Sequence, residues 1–248
     1  MLALAGIAFA QGPAIVAHRG YWDDNVQNSI ASLRKAQAFG CWGSECDVHL
    51  TADNVVVVNH DGAIGDTEIQ ISPFREVREH KLRNGEPVPT LAEYLDQAAQ
   101  SESCVLVLEI KPHVNQVREG MVIHKCLEGL KAHQLLDPTR VVFISFSYYI
   151  CKELARMCPD FTVQYLNGDK SPVELRADKI NGIDYHYSRL LKHPEWVVEA
   201  QAMGMTVNAW TVDREEDIRK MITLGVDQIT TNNPLLVRQI LQESKNAQ

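Results

Sequence analysis

Short apolar runs with β-strand character alternate with amphipathic stretches along almost the whole chain, and this alternation constrains the fold more than any other feature. The predicted strands are residues 14–17, 42–48, 104–110, 140–145, 162–166, 182–185, 206–211 and 227–230. Eight such units in 248 residues match the usual size of a (β/α)8 barrel. The sequence therefore predicts an α/β protein, with residues 11–248 forming a single TIM barrel. A doubly wound parallel sheet is the alternative architecture.

Helix signals lie between the predicted strands. The predicted helices are residues 29–39, 114–133, 148–157, 194–203, 214–224 and 234–242. Thr90 and Glu93 have the spacing of a capping box, which predicts a further helix start. Asn233 followed by Pro234 predicts an N-cap and a first helical position. One region interrupts the rhythm, because residues 61–89 are rich in Gly and Pro around a short helical piece. We expect an insertion there between the second and third βα units, covering one mouth of the barrel.

Charge and the N-terminal segment limit the partners and the compartment. The net charge is −8 and no block of Lys and Arg stands out, which argues against a nucleic-acid partner and favours a small-molecule substrate. Residues 1–10, "MLALAGIAFA", resemble the apolar core and A-x-A cleavage site of a signal peptide, although a basic leader is missing. A periplasmic or secreted protein is the expectation. If the segment is retained as a strand or a plug at the barrel bottom, the expectation is a cytoplasmic one.

Six cysteines give no metal-site spacing and no CxxC motif. They are interpreted as small buried hydrophobic residues, and Cys46 in particular is expected to point away from its acidic neighbours. Disulfide bonds between them are the alternative if the protein is exported.

Carboxylates on neighbouring predicted strands point to a metal site. Glu45 and Asp47 are two residues apart and so project from one face, and Glu109 follows an apolar run on the next barrel strand. Three buried carboxylates repel one another unless a cation balances them, and oxygen ligands favour Mg²⁺ or Ca²⁺. The alternative is that Arg19 and Lys111 pair with these carboxylates and no metal is needed.

Two histidines and two cations end apolar runs at the same predicted mouth. His18 and His60 each terminate such a run, and a pair of imidazoles suits general acid–base catalysis. Arg19 and Lys111 would neutralise an anion beside them. Together with a metal, this set suggests attack on a phosphodiester.

These residues resemble those of the glycerophosphodiester phosphodiesterase family. The similar stretches are "HRG" at 18–20, "SECDVHLTADNVVVVNHD" at 44–61, "PVPTLAEYL" at 87–95, "LEIKP" at 108–112 and "VNAWTVDREEDIRKMITLGVDQITTNNP" at 207–234. Their order and spacing extend the resemblance from residue 14 to about residue 240.

The resemblance implies a TIM barrel that uses Mg²⁺ or Ca²⁺ to hydrolyse glycerophosphodiesters to glycerol 3-phosphate and an alcohol. By the same resemblance, the metal ligands would be Glu45, Asp47 and Glu109, the acid–base pair His18 and His60, and the phosphate contacts Arg19 and Lys111. Trp210 would form an apolar wall for the glycerol or the leaving group, and core packing is the competing explanation for it.

Two positions depart from the family pattern. Gln27 stands where the family usually has Glu, and its carbonyl can hold Arg19 but brings no charge. Asn232 stands where Asp is common, and we interpret it as a cap or turn residue.

Two other functions compete with hydrolysis. A related barrel phosphodiesterase of the phospholipase D type would form a cyclic phosphate instead. A non-catalytic phosphodiester-binding barrel would keep Arg19 and Lys111 but would not need both His18 and His60.

Overall fold

The computed structural model describes residues 12–23 and 26–246. The predicted signal segment, residues 1–10, lies outside the described residues. The strands are β1 (Ala14–Ala17), β2 (Gly43–Leu50), β3 (Val56–Val58), β4 (Ala63–Ile64), β5 (Thr67–Glu68), β6 (Val105–Ile110), β7 (Val141–Ser145), β8 (Thr162–Tyr165), β9 (Gly182–His186), β10 (Thr206–Trp210) and β11 (Gln228–Thr231). Strands β1, β2 and β6 to β11 are parallel, and the pairing of β1 with both β2 and β11 closes them into a barrel. The TIM-barrel prediction is confirmed, and the doubly wound alternative is wrong.

Helices surround this barrel. They are α1 (Ile30–Phe39), α2 (Phe74–Glu79), α3 (Leu91–Ala98), α4 (Gln116–Ala132), α5 (Tyr148–Met157), α6 (Pro172–Ala177), α7 (Tyr187–Lys192), α8 (Glu195–Ala202), α9 (Glu215–Leu224) and α10 (Pro234–Asn246). The predicted capping box at Thr90 and Glu93 opens α3. Asn233 accepts a hydrogen bond from the backbone N–H of Leu236 at 3.1 Å, as expected of an N-cap.

Strand alternation separates the two faces of the barrel wall. In β2, Cys46 and Val48 pack in the large apolar core between the strands and the helices. Their neighbours Glu45 and Asp47 therefore face the barrel interior. The six cysteines are buried and form no disulfide bonds, which agrees with their interpretation as small apolar residues. In the part of the chain that the structure describes, no helix has the length and apolar character needed to cross a membrane.

The insertion lies within the second βα unit, between β2 and its helix α3, instead of between the second and third units. Strand β3 runs antiparallel to the end of β2, and the short β4–β5 hairpin, a 3₁₀ turn and α2 follow it. Apolar side chains from these pieces form a separate small core, made by Val57, Ile69, Val77 and Val88. Gln70 donates a hydrogen bond to the carbonyl of Pro112 at 3.0 Å. The insertion therefore contacts the carboxyl end of β6, at the edge of the barrel mouth.

Gly20 turns the chain directly after β1. Its φ is +82°, and a Cβ atom there would overlap the side chain and the backbone of Ser32. We expect Gly20→Ala to lower the free energy of unfolding by about 2–5 kcal/mol, because backbone strain and overpacking add. Gly85 has a similar φ, +84°, with open space around it, so Gly85→Ala should cost only about 1–2 kcal/mol. Urea denaturation of both variants measures the difference, and equal losses would contradict the packing argument.

Candidate active site

Three carboxylates meet at the carboxyl end of the barrel. Asp47 of β2 pairs in register with Glu109 of β6, so their side chains lie side by side, and Glu45 lies one pleat below on the same face. All three are buried, and each offers an oxygen within 4.8 Å of the others. This cluster can hold a metal ion.

Two cations contact the same cluster. The Lys111 Nζ lies 2.7 Å from Asp47 Oδ1 and 2.8 Å from Glu109 Oε1, whereas the Arg19 Nε lies 3.7 Å from Asp47 Oδ2. The ion pairs considered as the alternative to a metal are therefore present. They do not satisfy Glu45, whose Oε2 accepts the backbone N–H of Arg19 at 2.7 Å. Its Oε1 is buried without a hydrogen-bond partner among the described residues.

Two of the three carboxyl groups resist ionisation in this cluster. Burial, followed by repulsion from Asp47 and Glu109, raises the pKa of Glu45 well above its ordinary value. Burial and Asp47 also raise the pKa of Glu109, to about 8. Burial opposes ionisation of Asp47 as well, but Lys111 and hydrogen bonds from Lys111 and Asn28 outweigh it and lower its pKa. An unpartnered buried oxygen and an all-oxygen donor set fit a hard divalent cation.

The loop after β1 holds Arg19 in place. Arg19 and Asn28 both have φ of +56°, an uncommon conformation for residues other than glycine. The Arg19 Nη1 donates to Gln27 Oε1 at 2.8 Å, so the prediction that the Gln27 carbonyl can hold Arg19 is confirmed. The Asn28 side chain donates to Asp47 Oδ2 at 2.8 Å. The loop thus orients both a cation and a carboxylate of the cluster.

His18 is held through Asn232, which lies in the bend between β11 and α10, so the turn part of its interpretation is confirmed. The Asn232 amide donates to Asp213 Oδ2 at 2.7 Å, so its oxygen is left to accept from His18 Nδ1 at 2.8 Å. The cap of α10 is the next residue, Asn233. This chain of contacts places the proton of neutral His18 on Nδ1 and leaves its Nε2 as an acceptor. Burial, and then the charge of Arg19, lowers the pKa of His18 to about 4.

The pKa of His18 depends on the side chain at position 232, because that side chain contacts His18 Nδ1. We expect Asn232→Asp to raise this pKa from about 4 by about one unit or more, because a carboxylate beside the imidazole stabilises its protonated form. NMR titration of the metal-free protein measures the pKa directly. Asn84→Asp, on an exposed turn of the insertion, serves as the control and should leave it unchanged. An unchanged His18 pKa in Asn232→Asp would contradict the contact.

His60 lies nearer to solvent than His18. Its side chain is 34% exposed, and its Nδ1 lies 2.7 Å from the carboxylate of Asp61. The buried ring of His49 contacts the His60 carbonyl at 3.2 Å and so supports this segment. Burial and then Lys111 lower the pKa of His60, whereas Asp47 and Asp61 act in the opposite direction.

A cavity of about 140 Å³ joins these groups. Of the eight residues predicted from the sequence, seven line it: His18, Arg19, Glu45, His60, Glu109, Lys111 and Trp210. The eighth, Asp47, does not line the cavity, but it contacts both Arg19 and Lys111. Trp210 forms one wall with Phe146, their rings crossing edge to face with centroids 5.5 Å apart. The structure thus brings the whole predicted set together at one mouth.

Sequence reasoning missed several residues that contact this set. Asn28 donates a hydrogen bond to Asp47, Asp213 orients Asn232 and through it His18, and Asp184 lines the cavity from β9. Strand alternation in "GIDYH" could have placed Asp184 on the same face as Gly182 and His186. The partner of Asp213 comes from a distant loop, and no local pattern indicates it.

Comparison with known proteins agrees with this geometry. The model of the glycerophosphoryl diester phosphodiesterase family matches residues 18–236. A glycerophosphodiester phosphodiesterase from Caldanaerobacter subterraneus is 27% identical over 241 residues, covering 89% of this chain and 94% of that protein. The crystal structure of a glycerophosphodiester phosphodiesterase from Parabacteroides distasonis is 42% identical with a TM-score of 0.92, covering 96% of this chain and 99% of the other.

A third similar structure contains a ligand. It is a phosphodiesterase from Oleispira antarctica in complex with the product sn-glycerol-3-phosphate, 25% identical with a TM-score of 0.81, covering 95% of this chain and 99% of that one. These relatives are named as glycerophosphodiester phosphodiesterases, and the chain, like them, is an enzyme of the phosphoric diester hydrolase class. The chain belongs to the glycerophosphoryl diester phosphodiesterase family.

Proposed function

We propose that this protein uses a divalent cation, Mg²⁺ or Ca²⁺, to hydrolyse glycerophosphodiesters to glycerol 3-phosphate and an alcohol. The observation that carries the proposal is the cavity around which carboxylates, cations and histidines converge. The product named for the Oleispira antarctica structure supports the choice of substrate class.

Glu45, Asp47 and Glu109 would hold the cation, since they form the acidic cluster and Glu45 keeps an unpartnered oxygen. The bound ion would supply positive charge to the non-bridging phosphoryl oxygens. Arg19 and Lys111 line the same cavity and would bind those oxygens as well. Their charges stabilise the negative charge that grows as the phosphorus is attacked.

The two histidines would divide the proton transfers. His18 keeps its proton on Nδ1 against Asn232, so its Nε2 can take a proton from the attacking water. His60 can donate from Nε2 to the leaving alcohol while Asp61 stabilises its protonated ring. A bound phosphodiester would raise the pKa of His60 and so favour this role. Trp210 and Phe146 would pack against the carbon atoms of the substrate.

Export belongs to the proposal as well. The apolar segment 1–10 with its A-x-A sequence supports a periplasmic or secreted enzyme, which would meet glycerophosphodiesters released from membrane lipids.

A panel of glycerophosphodiesters tests the proposed activity. Glycerophosphocholine, glycerophosphoethanolamine and glycerophosphoinositol are incubated with the protein and either Mg²⁺ or Ca²⁺, and the products are separated. We expect glycerol 3-phosphate as the common product. Tight binding of these diesters without turnover in either metal would contradict the proposal and favour a non-catalytic binding barrel.

A further inference from the structure

The interior of the barrel is divided into an apolar half and a polar half. The apolar half is a cluster of buried side chains from the first strand and the middle strands: Val16, Val107, Val142, Ile144 and Leu166. The polar half comes from β8 to β11 and consists of Gln164, Asp184, Asn208, Gln228 and Thr230, all buried. Buried polar groups are costly unless they are hydrogen-bonded, so this half calls for an explanation.

Three of these polar residues form the floor of the active-site cavity: Asp184, Asn208 and Thr230. Asp184 and Thr230 line the cavity itself. Asn208 lies beside Asp184 in the strand register and donates to Thr230 Oγ1 at 2.8 Å. Asp184 is only 1% exposed, and among the described residues its Oδ1 has no hydrogen-bond partner. A buried carboxyl oxygen facing a cavity without a protein partner is a binding group for a ligand or water.

We propose that Asp184, supported by Asn208 and Thr230, binds a hydroxyl group of the substrate's glycerol moiety and makes the enzyme selective for it. This inference rests on the proposed hydrolysis of glycerophosphodiesters. It adds a specificity residue that is separate from the carboxylates, cations and histidines of the mouth.

The chemistry of the floor suits a neutral hydroxyl. Its polar groups are a carboxyl, an amide and a hydroxyl, and none of the three floor residues carries a positive charge for a phosphoryl group. Burial raises the pKa of Asp184 to about 8, although a hydrogen bond from Asn208 opposes this. A protonated carboxyl both donates and accepts, which matches an alcohol.

The geometry also orients the substrate. The phosphoryl group is drawn to Arg19 and Lys111 at the mouth, so a glycerol moiety attached to it can extend down to the floor. The Trp210 Nε1 donates to the Asp184 carbonyl at 2.9 Å, which joins the aromatic wall to the floor. The leaving alcohol then lies on the open side, where the partly exposed His60 can protonate it.

A matched pair of substrates separates selectivity from general activity. The 4-nitrophenyl diesters of glycerol phosphate and of propyl phosphate have the same leaving group, and only the first has free hydroxyls. We expect Asp184→Leu to lower kcat/KM for the glycerol diester by about 10–100-fold, as for a lost buried hydrogen bond, with at most about a twofold change for the propyl diester. Asp184→Asn keeps a donor and an acceptor and should retain most of the preference.

The matched control is Gln164→Leu, which removes a buried polar group of the same half that does not line the cavity. It should leave the ratio between the two substrates unchanged. Equal losses on both diesters in Asp184→Leu, or no loss on either, would overturn the proposal. Calorimetric binding of glycerol 3-phosphate and propyl phosphate measures the same preference without turnover. Failure of wild-type hydrolysis therefore contradicts only the proposed function. An unchanged binding preference in Asp184→Leu contradicts the proposed role of Asp184 in binding a glycerol hydroxyl.

Discussion

His18→Gln is expected to lower kcat for glycerophosphodiester hydrolysis by about 10²–10⁴-fold, the contribution typical of one acid–base group. The reason is that Nε2 of His18 is the acceptor that the Asn232 contact leaves free at the cavity. Glutamine cannot accept the proton of an attacking water to a comparable degree. Steady-state kinetics with glycerophosphocholine at saturating metal measure the loss, and KM should change far less than kcat.

His124→Gln is the control for this prediction. His124 lies on α4, and its ring contacts the carbonyl of Gly120 in its own helix. That variant should keep wild-type turnover, and circular dichroism of both variants checks that the fold is intact. His60→Gln should resemble His18→Gln, with the larger loss on substrates whose leaving alcohol has a high pKa. Activity within a few-fold of the wild type in His18→Gln would contradict the proton-transfer role.

Glu45→Gln is expected to weaken Mg²⁺ or Ca²⁺ binding by at least about 100-fold and to reduce turnover in parallel. Among the described residues no cation pairs with Glu45, and its unpartnered Oε1 belongs to the cluster that can hold an ion. Isothermal titration calorimetry of the chelated protein measures the affinity. The melting temperature of the wild type should also rise with metal concentration, because the ion binds the folded state.

Glu119→Gln is the matched control, since Glu119 is another buried carboxylate but lies on α4 outside the cluster. It should bind metal like the wild type. Full turnover of the wild type in the presence of excess EDTA would contradict metal dependence. It would favour the alternative in which the carboxylates only form ion pairs with Arg19 and Lys111.

Much of the fold follows from patterns that are local in the chain. Apolar runs of four to seven residues between helical stretches placed the barrel strands, and β1 and α5 have the predicted bounds. The short helices α6 and α7 were not predicted, because six residues give less than two turns of periodicity. The capping box of Ser171 and Glu174 was the available signal for α6. Strand β2 extends two residues beyond its predicted end, because the antiparallel β3 continues its pairing.

Most of the predicted site residues lie at or just after strand ends, where a barrel brings them together without any knowledge of side-chain contacts. Asp47 and Glu109 are examples, since parallel register alone sets them side by side. The Asn232–Asp213 pair could not be predicted in this way, because it depends on how two loops meet. Asp184 was overlooked because it is a lone carboxylate in its strand, whereas Glu45 and Asp47 form a pair two residues apart.

Hydrolysis of glycerophosphocholine in ¹⁸O-enriched water, followed by ³¹P NMR, tests the central claim most directly. If water attacks the phosphorus with the help of His18, the product is linear glycerol 3-phosphate that carries one ¹⁸O atom from the solvent. A cyclic glycerol phosphate as the end product, or glycerol 3-phosphate without solvent oxygen, would contradict the account.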